Sequence, residues 1–330
     1  MRRRDFIKGI AGSAAAAWPL TTLAQQTTKI PRIGVLWHAG NEQQEAIFLG
    51  ALRKGLNELG YVEGKNIELV NRFADERYDR FDGLAAELVK AKVDVIVGSI
   101  SSAATAKRQT ATIPIIFIAS GDPIGMGLVD TLARPGGNVT GTSNLVVDIA
   151  SKNLELLKDC FSNLSAVGVL ANSNTNAAFL RSYVSAMQAA AEVLHVSVHV
   201  VGVRSPDEFE RGFSEMGNAH VDAVIIMPDG MFNNDRKRIA ELALAHKLPA
   251  IGWSAELAEA GALMSYGANS ADMFRHAAFY IDKVLKGTNP ADIPVEQPML
   301  FDFVVNLRTA KALGLSIPPT VLARAGKVID

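Results

Sequence analysis

Short runs of β-branched and apolar residues alternate along the chain with longer segments in which apolar residues recur every three or four positions. Residues 33–37 read Ile-Gly-Val-Leu-Trp, a length and composition typical of a buried strand. Residues 42–59 place Leu49, Leu52 and Leu56 on one face, which predicts a helix packed on a sheet and ended by Gly60. The same patterns predict further strands over 67–70, 93–98 and 115–118, and further helices over 78–91 and 101–109.

This rhythm begins again near residue 166. Predicted strands lie at 166–170, 196–201, 223–227 and 250–252, and predicted helices at 177–194, 207–216 and 236–246. Strands that alternate with helices at this period favour parallel pairing through right-handed crossovers. The fold class expected is therefore α/β, with two doubly wound parallel-sheet lobes joined by a hinge. Ligands of open α/β sheets bind beyond the carboxyl ends of the strands, so two facing edges predict a clamp.

Glycine-rich segments indicate where the chain passes between the lobes. Residues 136–141 are the expected first crossing, and residues 265–269 the expected return. A helix over 271–285 is then expected to rejoin the first lobe, before a last extended segment at 294–305. The predicted division places residues 30–143 and about 269–292 in lobe I, and residues 144–266 and about 293–330 in lobe II.

The N-terminal segment has the pattern of an export leader. Arg2-Arg3-Arg4-Asp5-Phe6-Ile7-Lys8 is basic, an apolar run follows to about Leu20, and Thr22-Leu23-Ala24 has the small-x-small form of a cleavage site. Paired arginines before Phe, Ile and Lys resemble the twin-arginine signal, whose cargo is exported already folded. We therefore expect a signal peptide over residues 1–24, cleaved near Ala24, and a periplasmic mature protein. An ordinary secretion leader or a basic N-terminal helix remains the alternative.

Composition narrows the classes of function. Of the 330 residues 48% are hydrophobic and 20% charged, and the net charge is −1 with Lys and Arg scattered, which argues against a nucleic-acid partner. The single cysteine, Cys160, excludes an internal disulfide and a cysteine-based metal site. No Gly-x-Gly-x-x-Gly follows the first predicted strand, and P-loop and Gly-x-Ser-x-Gly motifs are absent. We therefore expect a protein that is not an enzyme and has neither cofactor nor metal.

Several stretches carry a family resemblance: residues 50–67, Gly121-Asp122-Pro123-Ile124-Gly125-Met126-Gly127, residues 132–141, 263–267 and 306–315. From residue 33 to residue 329 the chain resembles the ABC-transporter substrate-binding proteins, which have the type I periplasmic-binding fold. The resemblance implies a monomer that clamps a small solute between its lobes and delivers it to an inner-membrane permease and ATPase. Two alternatives stay open: a ligand-binding sensor that docks on a membrane signalling receptor, and an exported α/β enzyme.

Candidate ligand contacts follow the predicted strands of each half. They are Trp37, His38, Ser101, Ser102, Gly121 and Asp122 in the first half, and Asn172, Asn174, Asp229, Phe232, Trp253 and Tyr266 in the second. Each has a plainer interpretation: the tryptophans as core, and the serines, asparagines and aspartates as helix caps or turn residues.

If these positions converge, the site has aromatic walls from Trp37, Phe232, Trp253 and Tyr266. A helix N-terminus at residues 101–102 would receive a carboxylate, and Asp229 would pair with an ammonium group. That chemistry suits an aromatic or branched amino acid. Arg72 or Arg134 would instead bring a fixed positive charge and favour acids.

Overall fold

The computed structural model describes residues 29–298 and 300–330. Its strands are β1 (Arg32–Trp37), β2 (Glu68–Phe73), β3 (Val95–Ser99), β4 (Ile115–Ser120), β5 (Val139–Ser143), β6 (Ala166–Asn172), β7 (Ser197–Val203), β8 (Ala223–Ile226), β9 (Ala250–Gly252), β10 (Met264–Ala268), β11 (Phe301–Asn306) and β12 (Lys327–Ile329). The predicted leader, residues 1–24, lies outside the described residues.

The α-helices are α1 (Ala46–Glu58), α2 (Phe81–Lys90), α3 (Ile100–Gln109), α4 (Val146–Cys160), α5 (Ala177–Leu194), α6 (Phe209–Asn218), α7 (Gly230–Asn234), α8 (Arg236–Ala245), α9 (Ala255–Glu259), α10 (Ser270–Leu285), α11 (Leu307–Leu313) and α12 (Pro319–Leu322). Within the described part of the chain, no helix combines the length and apolar character needed to cross a membrane.

Two sheets with the same winding form the framework. The first has the order β2-β1-β3-β4-β5, and its strands are all parallel. The second has the order β12-β11-β10-β9-β8-β6-β7, which repeats the first order from β7 to β10 and adds two strands. The two doubly wound lobes predicted from the sequence are thus present. One pairing differs from the all-parallel expectation, because β11 runs antiparallel to β10.

Helices cover both faces of the first sheet. Ile33 and Val35 of β1 pack with α1 and α10, whereas Leu36, the next residue along the strand, packs on the opposite face with α2 and α3. This alternation follows from the two-residue period of a strand. The helix α10 was expected to rejoin the first lobe, and the core that Phe274 and Tyr280 share with α1 places it there.

Both segments predicted as crossings contain strands. Residues 139–143 form the edge strand β5, and Gly141, with φ of 153°, allows the backbone to pass close to the carbonyl of Phe117. Residues 264–268 form β10, where Gly267 lies equally close to the carbonyl of Trp253. Both glycines thus allow neighbouring strands to pack closely. The chain leaves each sheet just after the strand that contains the glycine.

The chain passes between the sheets at three places in the described residues. The first lies between β5 and α4, the second at Asn269 between β10 and α10, and the third ahead of β11. Ile293 and Val295 still pack in the cores of the first sheet, so the third passage begins after them. Asn269 donates from its side-chain amide to Asp302 over 2.9 Å, which ties the second passage to the third.

Candidate functional site

A cavity lies where the carboxyl ends of the two sheets face each other. In the first sheet the winding reverses between β1 and β3, and in the second between β6 and β8. Such reversal points leave a crevice beyond the strand ends, because successive helices there lie on opposite faces of the sheet. The cavity is lined by His38 after β1, Ser99 at the end of β3, Thr175 after β6 and Asp229 after β8. Both lobes therefore contribute to one site.

The cavity is open to solvent on one side. About 900 Å³ of space not occupied by protein atoms lies within it and at its mouth, the solvent at the mouth included.

An aromatic wall forms one side of the cavity. The ring of Trp37 stacks on Phe274 of α10 with centroids 5.6 Å apart, and Phe274 stacks on Phe48 of α1 at 4.9 Å. The indole Nε1 of Trp37 donates to Oδ1 of Asn71 over 3.0 Å, which fixes the ring plane. Trp253, after β9, lines the cavity from the second lobe. A planar apolar group of a ligand would contact rings from both lobes.

Backbone donors and hydroxyls line another part of the cavity. Ser99, Ser101 and Ser102 lie at the start of α3, whose first turn has backbone N–H groups without partners inside the helix. The Ser102 hydroxyl donates to the carbonyl of Ser99 over 2.8 Å. No lysine or arginine is among the described residues that line the cavity. A ligand carboxylate would therefore be received by the helix N-terminus.

Hydrogen bonds join the lobes at the cavity rim. The hydroxyl of Tyr78 donates to Oδ2 of Asp229 over 2.8 Å, and the side-chain amide of Asn234 donates to Oε1 of Glu76. Elsewhere on the interface, the hydroxyl of Ser182 in α5 donates to Oδ2 of Asp122 over 2.8 Å. The lobes are thus in contact around the site.

Four titratable groups meet beside this contact: His38, Glu45, Glu76 and Asp229. Nδ1 of His38 lies 3.1 Å from Oε1 of Glu45. Burial lowers the pKa of His38, but the carboxylates of Glu45, Glu76 and Asp229 outweigh it, and the pKa is raised overall. Burial raises the pKa of Asp229 against the hydrogen bonds from Asn172 and Tyr78, and burial likewise raises the pKa of Glu76.

The backbone holds this cluster together. The N–H of Glu76 donates to the carbonyl of His38 over 2.8 Å, and the N–H of Asp75 donates to that of Ala39 over 3.0 Å. Asp75 and Glu76 both have φ of 57°, a left-handed conformation that is unfavourable for residues other than glycine. Strain of this kind is concentrated at functional sites, and here it brings Glu76 beside His38.

Six of the residues proposed from the sequence line the cavity. They are Trp37, His38, Ser101, Ser102, Asp229 and Trp253. Asn172 lies directly behind Asp229 and donates its amide to Oδ1 of that carboxylate over 3.0 Å. The positions proposed from strand ends thus include residues that line the cavity from both lobes.

Two predicted aromatic walls lie elsewhere. Phe232 is fully buried in the second lobe, where it packs against Phe209, because α7 turns its side chain into the core. Tyr266 belongs to β10 and stacks on Phe301 of the adjacent strand β11. Neither is among the described residues that line the cavity.

Three predicted polar positions also lie away from the cavity lining. Asp122 accepts the N–H of Gly125 through Oδ1 over 2.8 Å, a turn contact, in addition to its bond from Ser182. Gly121 precedes it in the same loop. The side chain of Asn174 donates to the carbonyl of Arg204 over 2.8 Å, which fixes the loop after β6. In the described part of the chain, the side chains of Asp122 and Asn174 thus stabilise loops, and Asp122 also joins the two lobes.

Further residues that line the cavity were not among the candidates from the sequence. Those on helices or at helix starts include Glu45 and Phe48 at the start of α1, Tyr78 and Phe81 at the start of α2, Asn233 in α7, and Ser270 and Phe274 at the start of α10. All lie on helices or their N-terminal flanks, at spacings of three or four residues. Polar and aromatic residues at that spacing in the first turn of a predicted helix could have indicated these positions from the sequence.

Within the described part of the chain, no group of three or more His, Cys, Asp or Glu side chains has the arrangement of a metal site.

Comparisons with known proteins agree with this geometry. A curated tyrosine-binding protein of Clostridioides difficile (strain R20291) is 29% identical over 264 residues, which cover 79% of this chain and 75% of that protein. The structure of an ABC domain in complex with L-Trp from Streptococcus pneumonia has a TM-score of 0.80 at 29% identity, covering 90% of this chain and 100% of that one.

A third relative gives a contrast in conformation. The ligand-free, open structure of a substrate-binding protein with adhesive properties from Clostridium difficile has a TM-score of 0.63 at 27% identity, covering 91% of this chain and 99% of that one. At similar identity, this chain is thus more like the L-Trp complex than like the open structure.

The family model described as ABC transporter substrate binding protein matches residues 33–329, almost all of the described chain. The fold is that of the type I periplasmic-binding proteins, as the resemblance implied. The chain belongs to the family of ABC transporter substrate-binding proteins.

Proposed function

We propose that this protein binds an aromatic amino acid between its lobes and delivers it to an ABC importer. The observation that carries the proposal is the aromatic lining of the cavity, formed by the stacked rings of Trp37 and Phe274 and by Trp253 of the second lobe. Stacking on such rings contributes about 0.5–1.5 kcal/mol beyond the burial of area. The two relatives whose names specify a ligand, L-Trp and tyrosine, support this choice.

The polar groups of the cavity suit the same ligand. The N-terminus of α3 receives a carboxylate, and the buried acidic cluster around His38 favours a positive charge nearby. A sugar has neither group, and an aromatic acid lacks the ammonium. Ligand contacts to both lobes favour the closed conformation over the open one, which is the basis of the hinge motion that we propose.

Export and partners are part of the proposal. The Arg3-Arg4 leader would direct the protein to the periplasm, where the closed, liganded monomer would dock on an inner-membrane permease driven by an ATPase. Cell fractionation of a variant with both arginines changed to lysine tests the route, since loss of the periplasmic pool is expected.

Calorimetry and thermal shift on the mature chain test the ligand class. We expect saturable one-to-one binding of L-tryptophan or L-tyrosine and a rise in melting temperature, because the ligand binds only the folded state. Binding of sugars or purines alone would contradict the proposal. Loss of uptake of the bound amino acid in a deletion strain is expected for an importer, whereas a loss of signalling with normal uptake would indicate a sensor.

A further inference from the structure

The two carboxylates that line the cavity use their oxygens differently. Asp229 accepts at Oδ1 from the amide of Asn172 over 3.0 Å and from the N–H of Met231 over 2.9 Å, and at Oδ2 from Tyr78 over 2.8 Å. These donors cap α7 and join the lobes. Both oxygens of Asp229 are therefore already engaged by the protein.

Glu45 differs because one of its oxygens is unused. The residue is 1% exposed, and its Oε1 lies 3.1 Å from Nδ1 of His38 and accepts the N–H of Ala39 over 3.4 Å. Its Oε2 is buried and accepts no hydrogen bond from the described residues. A buried carboxylate oxygen without a donor is costly, so a donor from a bound molecule would stabilise this atom.

A second buried acceptor lies on the opposite lobe. Oδ1 of Asn233 in α7 is also buried without a hydrogen-bond partner in the described part of the chain, and Asn233 lines the same cavity. Asn233 therefore offers a further acceptor to a bound ligand from the second lobe once the lobes are in contact.

The charges of the cluster point to the same group. Glu45, Glu76 and Asp229 surround a single imidazole, that of His38. With no lysine or arginine among the described lining residues, a positive charge from the ligand would balance the excess of acidic groups.

We propose that Oε2 of Glu45 accepts the ammonium group of the bound amino acid. His38 holds the Glu45 carboxylate in position, and Asp229 acts in lobe closure instead of ligand recognition. The inference rests on the proposed function, and it assigns the ammonium group to the start of α1 and the carboxylate to the start of α3, both in the first lobe. The second lobe then closes over a ligand already oriented by the first.

This assignment is tested by a thermodynamic cycle in which the charge is removed from the protein, from the ligand, or from both. Binding of L-tryptophan and of its des-amino analogue, indole-3-propionate, is measured by calorimetry in wild type, Glu45→Gln and Asp229→Asn. Breaking one buried charge pair typically weakens binding by about a hundredfold, so wild type should prefer L-tryptophan by about that factor. Glu45→Gln should reduce the preference to within about tenfold, since the amide removes the charge that the amine pairs with. Asp229→Asn should weaken both ligands and leave their ratio unchanged.

Controls keep the outcomes separate. Glu241→Gln changes an exposed glutamate of α8 by the same substitution and should alter neither affinity. If Glu45→Gln does not fold, Glu45→Asp keeps the charge but withdraws it by one methylene and should also reduce the preference. An unchanged preference in a folded Glu45 variant, or a preference lost only in Asp229→Asn, would overturn the assignment while leaving the proposed function intact. Failure of wild type to bind both L-tryptophan and L-tyrosine would overturn both proposals.

Discussion

The hydroxyl of Tyr78 donates to Oδ2 of Asp229 over 2.8 Å, and the two residues belong to different lobes. Burial and the adjacent carboxylate raise the pKa of Tyr78 well above its ordinary value, so the phenol keeps its proton and remains a donor at neutral pH. The bond exists only while the lobes are in contact. Its energy therefore contributes to closure and not to the folding of either lobe alone.

Replacing Tyr78 with phenylalanine should weaken ligand binding without unfolding the protein. The variant removes one hydroxyl and leaves Oδ2 of Asp229 buried without that donor when the lobes close, at a cost of about 1–3 kcal/mol. Affinity should fall by roughly tenfold to a hundredfold. Calorimetry measures the affinity, and small-angle scattering should show a more open ensemble at the same ligand concentration.

Tyr61→Phe is the matched control for this prediction. The Tyr61 hydroxyl donates to Oδ1 of Asp282 over 2.9 Å, and so joins the loop after α1 to α10 within the first lobe. Its loss should lower the melting temperature slightly and leave affinity unchanged. Equal affinities in wild type and Tyr78→Phe would show that the contact between Tyr78 and Asp229 contributes nothing to closure.

Gly230→Ala should block closure by direct collision. A Cβ at residue 230 would lie 2.2 Å from Cδ2 of His38, across the lobe interface. Overpacking of this kind costs about 1–3 kcal/mol, and here the open form relieves it. The variant should fold normally yet bind ligand much more weakly in a calorimetric titration.

Gly50→Ala provides the control for added volume. No atom lies within 4 Å of a Cβ at residue 50, and alanine is the better helix former by about 1 kcal/mol. This variant should bind like wild type and melt slightly higher. If Gly230→Ala bound ligand as tightly as Gly50→Ala, the lobes would not close against each other in the manner described.

Trp253→Ala should reduce affinity for an aromatic ligand because it removes the ring that lines the cavity from the second lobe. Trp253 is 9% exposed, and truncating a large buried aromatic side chain costs about 3–5 kcal/mol of stability, so the melting temperature should fall as well. Trp253→Phe separates the two effects, since it retains a ring and most of the packing. Full affinity in a folded Trp253→Ala would remove this residue from the binding site.

Stability of the closed protein should fall as the pH rises above about 6.5. The raised pKa of His38 contributes stability that is complete below its unfolded value and is lost as the pH rises through its folded value. Burial raises the pKa of Glu76 and of Asp229, so these groups also favour the closed structure most when protonated. The three contributions have the same sign.

Melting curves at about pH 5.5 and about pH 8 measure this dependence. His38→Gln should reduce the difference between the two melting temperatures, whereas His199→Gln, at an exposed position on β7, should leave it unchanged. A melting temperature that rises with pH in wild type, or an unaltered difference in His38→Gln, would contradict the role given to the cluster.

Most strands are continuous runs of β-branched residues and were predictable from the sequence. Strands that contain polar and small residues were not predicted. The run Val-Thr-Gly-Thr-Ser of β5 and the run Met-Ser-Tyr-Gly-Ala of β10 lack the pattern of a buried strand, although both are largely buried. Their polar side chains are satisfied by particular contacts, such as the bond from Thr140 to the carbonyl of Ile293 over 2.6 Å. The helices α7 and α9, with 5 residues each, are too short to show a period.

The site was predictable only as far as strand ends determine it. Trp37 at the end of β1 and Asp229 after β8 were proposed from the sequence and line the cavity, because the winding of the sheet alone brings such positions together. Glu45 and Phe274 lie on helices that pack together across more than half of the chain, and no local pattern contains that pairing. The burial of Phe232 in the core was not predictable for the same reason, because it depends on the direction in which the chain runs from β8 into α7.

The return of α10 to the first sheet has a consequence for the order in which the protein is completed during synthesis. The face of that sheet occupied by Ile33 and Val35 is covered by α1 and by α10, which begins at Ser270. A nascent chain that has emerged only as far as the end of β5 therefore has every strand of this sheet but leaves part of one face exposed to water. The second sheet likewise requires β11 and β12, which emerge last. The first sheet is therefore completed only after most of the second has been made, and the second sheet only after α10 has emerged.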